Sequence, residues 1–215
     1  MKQSAIGVII QFFKITNMDV HKSKKEQWDK YYISKSFVTN SPLEAIFRYH
    51  QLEVPTNKLI LDIGVGQGDF IKNLSQYNTM IGADVSENAL NVVKSYCKNI
   101  YFSEKLDEIE SVDLAICHLV MQHNHEYEVA RIIDDVNIKD DGMFSFQFAS
   151  LNVDKVYPTR LIMNEINNSM LYFYSLKKMT SIIDSTNKKI VNTIGPIWFG
   201  DPYNFEWFIF QVVNK

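Results

Sequence analysis

Three glycines spaced two apart, Gly64, Gly66 and Gly68, follow the apolar run Leu59-Ile60-Leu61 and the carboxylate of Asp62. Glycine lets a chain turn tightly and lets a ligand lie against bare backbone, and the start of a following helix offers unpaired N–H groups. Phe70, Ile71 and Leu74 supply that helix with an apolar face. A buried strand, a glycine turn and a helix make a cradle for a nucleotide-bearing ligand. Two kinds of cradle do not fit. The dinucleotide fingerprint puts its third glycine three positions after the second, where this chain has Asp69, and no Gly-Lys-Ser/Thr follows for a P-loop. A second acid, Asp84, closes the short apolar run Met80 to Val85, about twenty residues beyond Gly64. An acid there is placed to accept hydrogen bonds from ribose hydroxyls. Ser86 is the better cap for the next helix, which leaves Asp84 free for that role.

Histidine is the other group with chemistry to offer. Three of the five histidines cluster at 118, 123 and 125. A metal site is not expected, because the only nearby cysteine, Cys117, points to the opposite face of its strand from His118. His118 ends an apolar strand, His123 sits where a loop meets a helix, and His125 reads as an exposed helix-start residue. His50, near the end of an earlier helix, reads as a surface residue favoured by the helix dipole.

The pattern Asp62-x-Gly64-x-Gly66-x-Gly68 resembles the first motif of class I S-adenosylmethionine-dependent methyltransferases, small-molecule type. The resemblance covers residues 41 to 149 by motif and 175 to 213 by architecture. It implies an α/β, Rossmann-like, doubly wound seven-stranded sheet, mostly parallel with an antiparallel last strand. It implies S-adenosyl-L-methionine as cofactor, with Asp62 toward its amino end, the backbone of Gly64, Gly66 and Gly68 against it, and Asp84 and Val85 at the ribose. Ser103 and Glu104 stand where the family holds the adenine, although the family often has Asp at the first position. His118 falls at the reactive end, and His123 matches a position where many members also have histidine. If the acceptor is a hydroxyl, a base must take its proton, and His123 is the first candidate with His118 second. The segment Glu26-Gln-Trp-Asp-Lys-Tyr-Tyr resembles the aromatic stretch that folds over the cofactor, which puts Trp28 and Tyr32 at the acceptor. Insertions after the fifth strand help build the family's acceptor pocket; here that is about residues 150–174, with Tyr157 and Arg160. A planar, bidentate arginine among tyrosines suits a phosphate or carboxylate on the acceptor. No Asn/Asp-Pro-Pro-aromatic motif occurs, which argues against methylation of a base amine.

The remaining properties agree with a single methyltransferase domain. A chain of 215 residues suits one domain, read as an extension and aromatic lid over 1–40 and a methyltransferase domain over 41–215. The net charge of −3 provides no electrostatic footprint for nucleic acid. Cys97 and Cys117 lie in apolar runs and read as buried thiols in a reducing, cytoplasmic setting. The apolar start, Ala5 to Ile15, is broken by Gln11 and Lys14 and is too short to span a bilayer. The function expected is methyl transfer to an oxygen or nitrogen of a small-molecule acceptor, such as a phosphorylated or sugar-linked metabolite. The alternatives are a non-catalytic cofactor-binding protein of the same fold, or a protein or RNA methyltransferase.

The elements that must position these groups are read from periodicity and caps. Helices are expected from Ser41-Pro42-Leu43-Glu44 to about Gln51, from Ser86 to Cys97, from Glu126 to Ile138, and after Ser175. Strands are expected at 59–61, 80–85, 100–102, 112–118, 143–149, 189–194 and 206–213. Lys139 to Gly142 reads as a turn, and Ser150 to Tyr174 as irregular.

Overall fold

The computed structural model describes residues 17–34, 47–151, 159–164, 169–197 and 205–215. The helix start at Ser41 to Glu44, Tyr157, and the loop carrying Trp198, Phe199 and Tyr203 lie outside the described residues. Five strands form the parallel part of the sheet: β1 (Leu59–Ile63), β2 (Thr79–Asp84), β3 (Asn99–Phe102), β4 (Val112–Cys117) and β5 (Ile138–Leu151). After a hairpin of β6 (Thr159–Asn164) and β7 (Ser169–Tyr174), β8 (Lys188–Ile197) and β9 (Phe205–Asn214) complete it. The order is β3-β2-β1-β4-β5-β9-β8, and β9 runs antiparallel to both of its neighbours. This is the seven-stranded, Rossmann-like sheet that the motifs implied.

Both faces of the sheet are covered, so the central strands read as continuous apolar runs. One face packs Leu61, Ile63, Ala115 and Cys117 against α4 (Glu126–Asp135) and α5 (Leu176–Asp184), through Val129, Ile132, Ile133, Met179 and Ile183. The other packs Ile60, Leu114 and Ile116 against α2 (Asp69–Leu74) and α3 (Glu87–Val93), through Ile71, Leu74, Ala89, Leu90 and Val93. Phe47 and its helical turn close that second layer. Ser86 caps α3 through its Oγ, and Ser175 caps α5, as their positions before apolar helical patterns suggested. A further helix, α1 (Asn17–Ser34), precedes the sheet. No described helix is long and apolar enough to cross a membrane.

The structure corrects three of the expected boundaries. Helix α4 stops at Asp135 and β5 begins at Ile138. Val136 is buried as expected, but its backbone is already extended, and Ile138 pairs with Val112 instead of adding a turn. The supposed turn Lys139–Gly142 is an irregularity within β5, because Leu114 pairs next with Met143. Exposed Asp140 and Asp141 gave the stretch its turn-like composition. The segment read as irregular holds a regular hairpin, with Thr159 opposite Tyr174 and Asn164 opposite Ser169.

Candidate active site

The glycine loop leads from the C-terminal end of β1 into α2 and lies beside the C-terminal end of β2, on the edge where parallel α/β sheets bind ligands. The Gly64 N–H donates to the Ala83 carbonyl (2.7 Å), and Gly68 N–H donates to the Val65 carbonyl (2.8 Å). Gly64, Gly66 and Gly68 all have positive φ, at 83°, 52° and 75°. Space also requires glycine: a Cβ on Gly64 would lie 2.2 Å from Val120 Cγ2. Asp84 organises the loop, its two oxygens accepting from the Gly66 N–H (3.1 Å) and the Ser86 N–H (2.9 Å). Burial pushes its carboxyl up to about 6, against the downward pull of those amides. Asp62, at the buried end of β1, is pushed up to about 7 by burial and by the neighbouring Asp84. No described cationic side chain pairs with it. Two buried carboxyls of raised pKa beside bare backbone make a place that favours a cation.

Helix α1 lies across this edge and touches both sides of it. On one side Asp29 Oδ1 accepts from Ser86 Oγ (2.6 Å) and from the Asn88 N–H (3.3 Å). Lys25 reaches Glu87 (3.5 Å) and lies over the Phe102 ring. On the other, Lys24 Nζ donates to Asn124 Oδ1 (2.7 Å) and meets Glu128 Oε2 (3.0 Å). Between them, Tyr32 brings its hydroxyl over Gly66, where a Cβ would stand 3.2 Å from it. Burial, with Asp84, Tyr31 and Asp62 nearby, raises the Tyr32 pKa and keeps the phenol protonated. Trp28 stacks on Tyr32 (5.9 Å) and meets the His123 ring edge-on (5.0 Å).

The β4–β5 side is built from different groups. His50, expected at the surface, is fully buried; this is a correction. Its Nδ1 lies 2.6 Å from Ser145 Oγ, its Nε2 lies 3.2 Å from His118 Nδ1, and its carbonyl accepts from Gln211 Nε2 (2.6 Å). The short helical turn ends at the sheet rather than in water, so core packing overrides the dipole argument. Burial holds His50 at about 3 and His118 at about 4, so both rings are neutral near pH 7. The three groups form one hydrogen-bonded chain with two tautomeric settings. If Ser145 donates to His50, then His50 donates to His118 and the His118 Nε2 carries hydrogen. If Ser145 accepts, every bond reverses and the His118 Nε2 is a bare acceptor.

The other residues singled out from sequence fall as follows. Val85 is half-buried directly after β2. Ser103 and exposed Glu104 open a 3₁₀ turn, and the Ser103 carbonyl accepts from Arg131 (3.2 Å). His123 closes the short 3₁₀ turn Met121–His123, and His125 is the exposed cap of α4, with Glu128 returning to its N–H. Arg160 lies on β6 opposite Phe173, and its side chain lies outside the described residues, as does Tyr157. Cys97 and Cys117 are free thiols. Among the described residues no group of three metal-ligating side chains comes together. Sequence reasoning missed Asp29, Lys24, His50, Ser145, Gln122 and Gln147.

Comparison with known proteins places this arrangement. Residues 61–137, from the third residue of β1 to just past α4, match the family described as a methyltransferase domain. The structure is similar to the 1,6-didemethyltoxoflavin-N1-methyltransferase of Burkholderia thailandensis, solved with 1,6-didemethyltoxoflavin and S-adenosylhomocysteine. The TM-score is 0.63 at 12% identity, over 91% of this chain and 87% of that one. It is also similar to the glycopeptide N-methyltransferase MtfA in complex with S-adenosylhomocysteine, with a TM-score of 0.61 at 9% identity over 85% and 93% of the two chains. An S-adenosylmethionine-dependent methyltransferase from Mesorhizobium loti gives 0.59 at 12% identity, over 80% and 98%. A search of curated proteins finds no match. At such identities the solved structures speak for the fold, while the matched stretch contains the glycine loop and both buried acids. Residues 61–137 thus match a methyltransferase domain, and the fold around them is the one seen in S-adenosylmethionine-dependent methyltransferases.

Proposed function

We propose that this protein transfers the methyl group of S-adenosylmethionine to an oxygen or nitrogen of a small-molecule acceptor. The observation that carries the reading is the pair of buried carboxyls, Asp62 and Asp84, behind a glycine loop whose bare backbone any side chain would fill. These residues fit a ligand that joins a cationic amino acid end to a ribose. Asp62 would face the ammonium. Asp84, which still has lone pairs beyond the backbone amides of Gly66, Val85 and Ser86, would accept from the ribose hydroxyls. Gly64, Gly66, Gly68 and Val85 would lie along the same ligand, with Ser103 and Glu104 toward the base. When bound, the cofactor supplies a methyl carbon already made electrophilic by its sulfonium.

What remains for the chain is alignment and exclusion of water, and proximity alone can supply a large share of the acceleration. Trp28 and Tyr32 would cover the cofactor, and His123, whose ring meets Trp28, would face the acceptor. His118, backed by His50 and Ser145, can offer either a donor or an acceptor to the acceptor's reacting group without changing its charge. A proton taken by His118 is costly to keep there, since burial disfavours the imidazolium. For a hydroxyl acceptor the base would therefore be His123, or a proton received by His118 would pass on at once.

Calorimetry with S-adenosylhomocysteine tests the reading. The parent should bind it more tightly than NAD or ATP, and Gly66→Val, at a φ of 52° beneath the Tyr32 hydroxyl, should lose binding while the circular dichroism spectrum is kept. Unchanged affinity in that variant would overturn the assignment. Transfer of a radiolabelled methyl group to small molecules of a cell extract tests catalysis separately from binding.

A further inference from the structure

Strand β5 has an unusual inner face. A central strand in a sheet covered on both sides ordinarily carries apolar residues on each. Here Phe144, Phe146 and Phe148 face one core, while Ser145 and Gln147 project from the opposite face. Ser145 is accounted for by His50. Gln147 is not: it is fully buried, and among the described residues neither its Oε1 nor its Nε2 has a hydrogen-bond partner. Gln122, in the 3₁₀ turn after β4, is also buried, and its Oε1 likewise finds no partner among the described residues. A buried amide left unmet costs on the order of 1–3 kcal/mol, so an orphan in a well-packed strand calls for a reason. The position provides one. Cys117 and Phe146 are the last paired residues of β4 and β5, so Gln147 stands level with His118, one residue further toward the ligand-binding edge.

We propose that the Gln147 carboxamide reads the acceptor, and that the acceptor presents to it an uncharged donor–acceptor edge, such as a lactam, an amide or a heterocyclic N–H/C=O pair. A carboxamide holds one donor and one acceptor side by side, which complements an edge of that kind. The surrounding groups agree in charge: His50, His118, Ser145 and Gln122 are all neutral, and no described basic side chain joins them. A phosphate or carboxylate buried against them would find no counter-charge. The proposal rests on the methyltransferase reading and specifies its acceptor.

Gln147→Leu keeps the size and removes the amide. If the amide is unsatisfied in the free protein, the variant should melt about 2–4 °C higher, the shift expected for about 1 kcal/mol in a chain of this size. A midpoint that is unchanged or lower would mean Gln147 is bonded structurally, and would overturn the proposal. Both proteins should bind S-adenosylhomocysteine within twofold of each other; failure of the parent to bind it would instead indict the methyltransferase reading. Each is then given radiolabelled S-adenosylmethionine and a small-molecule extract, and the products are divided by anion exchange. Label should appear in the unretained, neutral fraction and fall at least tenfold with Gln147→Leu. Label in the retained fraction, equal label from both proteins, or no label from a parent that binds S-adenosylhomocysteine would each overturn it.

Discussion

At the ends of β1 and β2 the buried groups with shifted pKa are the acids Asp62 and Asp84, and beside β4 and β5 they are the imidazoles His50 and His118. Asp62 and Asp84 sit within the glycine loop with their carboxyls pushed up to about 7 and about 6. Beside the next strands, β4 and β5, burial acts on His50 and His118 in the opposite direction and holds them at about 3 and about 4. Burial is the first cause in all four cases, and it always disfavours the charged form. The difference lies in what could relieve it. An arriving cation restores the charge of a carboxylate, whereas neutral imidazoles, a serine and an amide gain most from an uncharged hydrogen-bonding partner. One edge of one sheet thus sets two buried acids beside two neutral imidazoles.

Removing an acid should break this division most visibly. Asp84→Ala should weaken S-adenosylhomocysteine binding by about 1.5–3 kcal/mol, or roughly tenfold to a hundredfold, the usual worth of hydrogen bonds to a charged group. Calorimetry checks this, and a change below twofold would detach Asp84 from the ribose.

Proton titration sharpens the comparison with a smaller effect. A cationic ligand end prefers ionised Asp62, so affinity should fall about tenfold between pH 8 and pH 6 as the carboxyl protonates near 7. The ligand-free protein should show the two halves opposing each other. Asp62 and Asp84 bind protons more tightly when folded than at their ordinary 3.8, so stability from this source declines as pH rises from about 4 to about 7. His50 and His118 bind them less tightly than at their ordinary 6.5, so their contribution rises from about pH 3 to about 6.5 and is level above it. Asp62→Asn should remove the first slope, and a joint His50→Phe, His118→Phe variant the second, both read by chemical denaturation across pH.

Smaller still is the effect of loosening α1. Asp29→Ala removes two hydrogen bonds to Ser86 and Asn88 and should cost about 0.5–1.5 kcal/mol, with faster amide exchange confined to α1 and the start of α3. Global loss of protection would show that α1 is part of the core instead.

The glycine-loop half was legible in the sequence because its signals are local. Gly64, Gly66, Gly68 and Asp62 are near neighbours, Asp84 follows at a set distance, and steric demands on glycine leave a pattern in the chain itself. The sheet order followed from the same motif. The neutral half was hidden because its chain of contacts is assembled from distant positions: His50 to His118, His50 to Ser145, and Gln211 to His50. One signal was nevertheless present. Ser145 and Gln147 alternate with phenylalanines in a strand that must be buried on both faces, a pattern ordinarily found where one face meets water. The hairpin of β6 and β7 was missed for a milder reason, since Leu161, Ile162, Tyr172 and Phe173 form runs too short for periodicity to separate from an irregular segment.

The way α1 is fastened sets a clock. The helix is held over the glycine loop by polar links, Asp29 on one bank and Lys24 on the other, with Trp28 and Tyr32 between. Polar links of this kind net about 0.5–1.5 kcal/mol each, and Tyr32 adds apolar packing against the core layer beneath it. Anything lying on Gly66 beneath the Tyr32 hydroxyl must arrive before α1 settles and depart after it lifts. Access to the bare backbone of Gly66 is then set by how readily this one helix undocks, a motion of the microsecond-to-millisecond class.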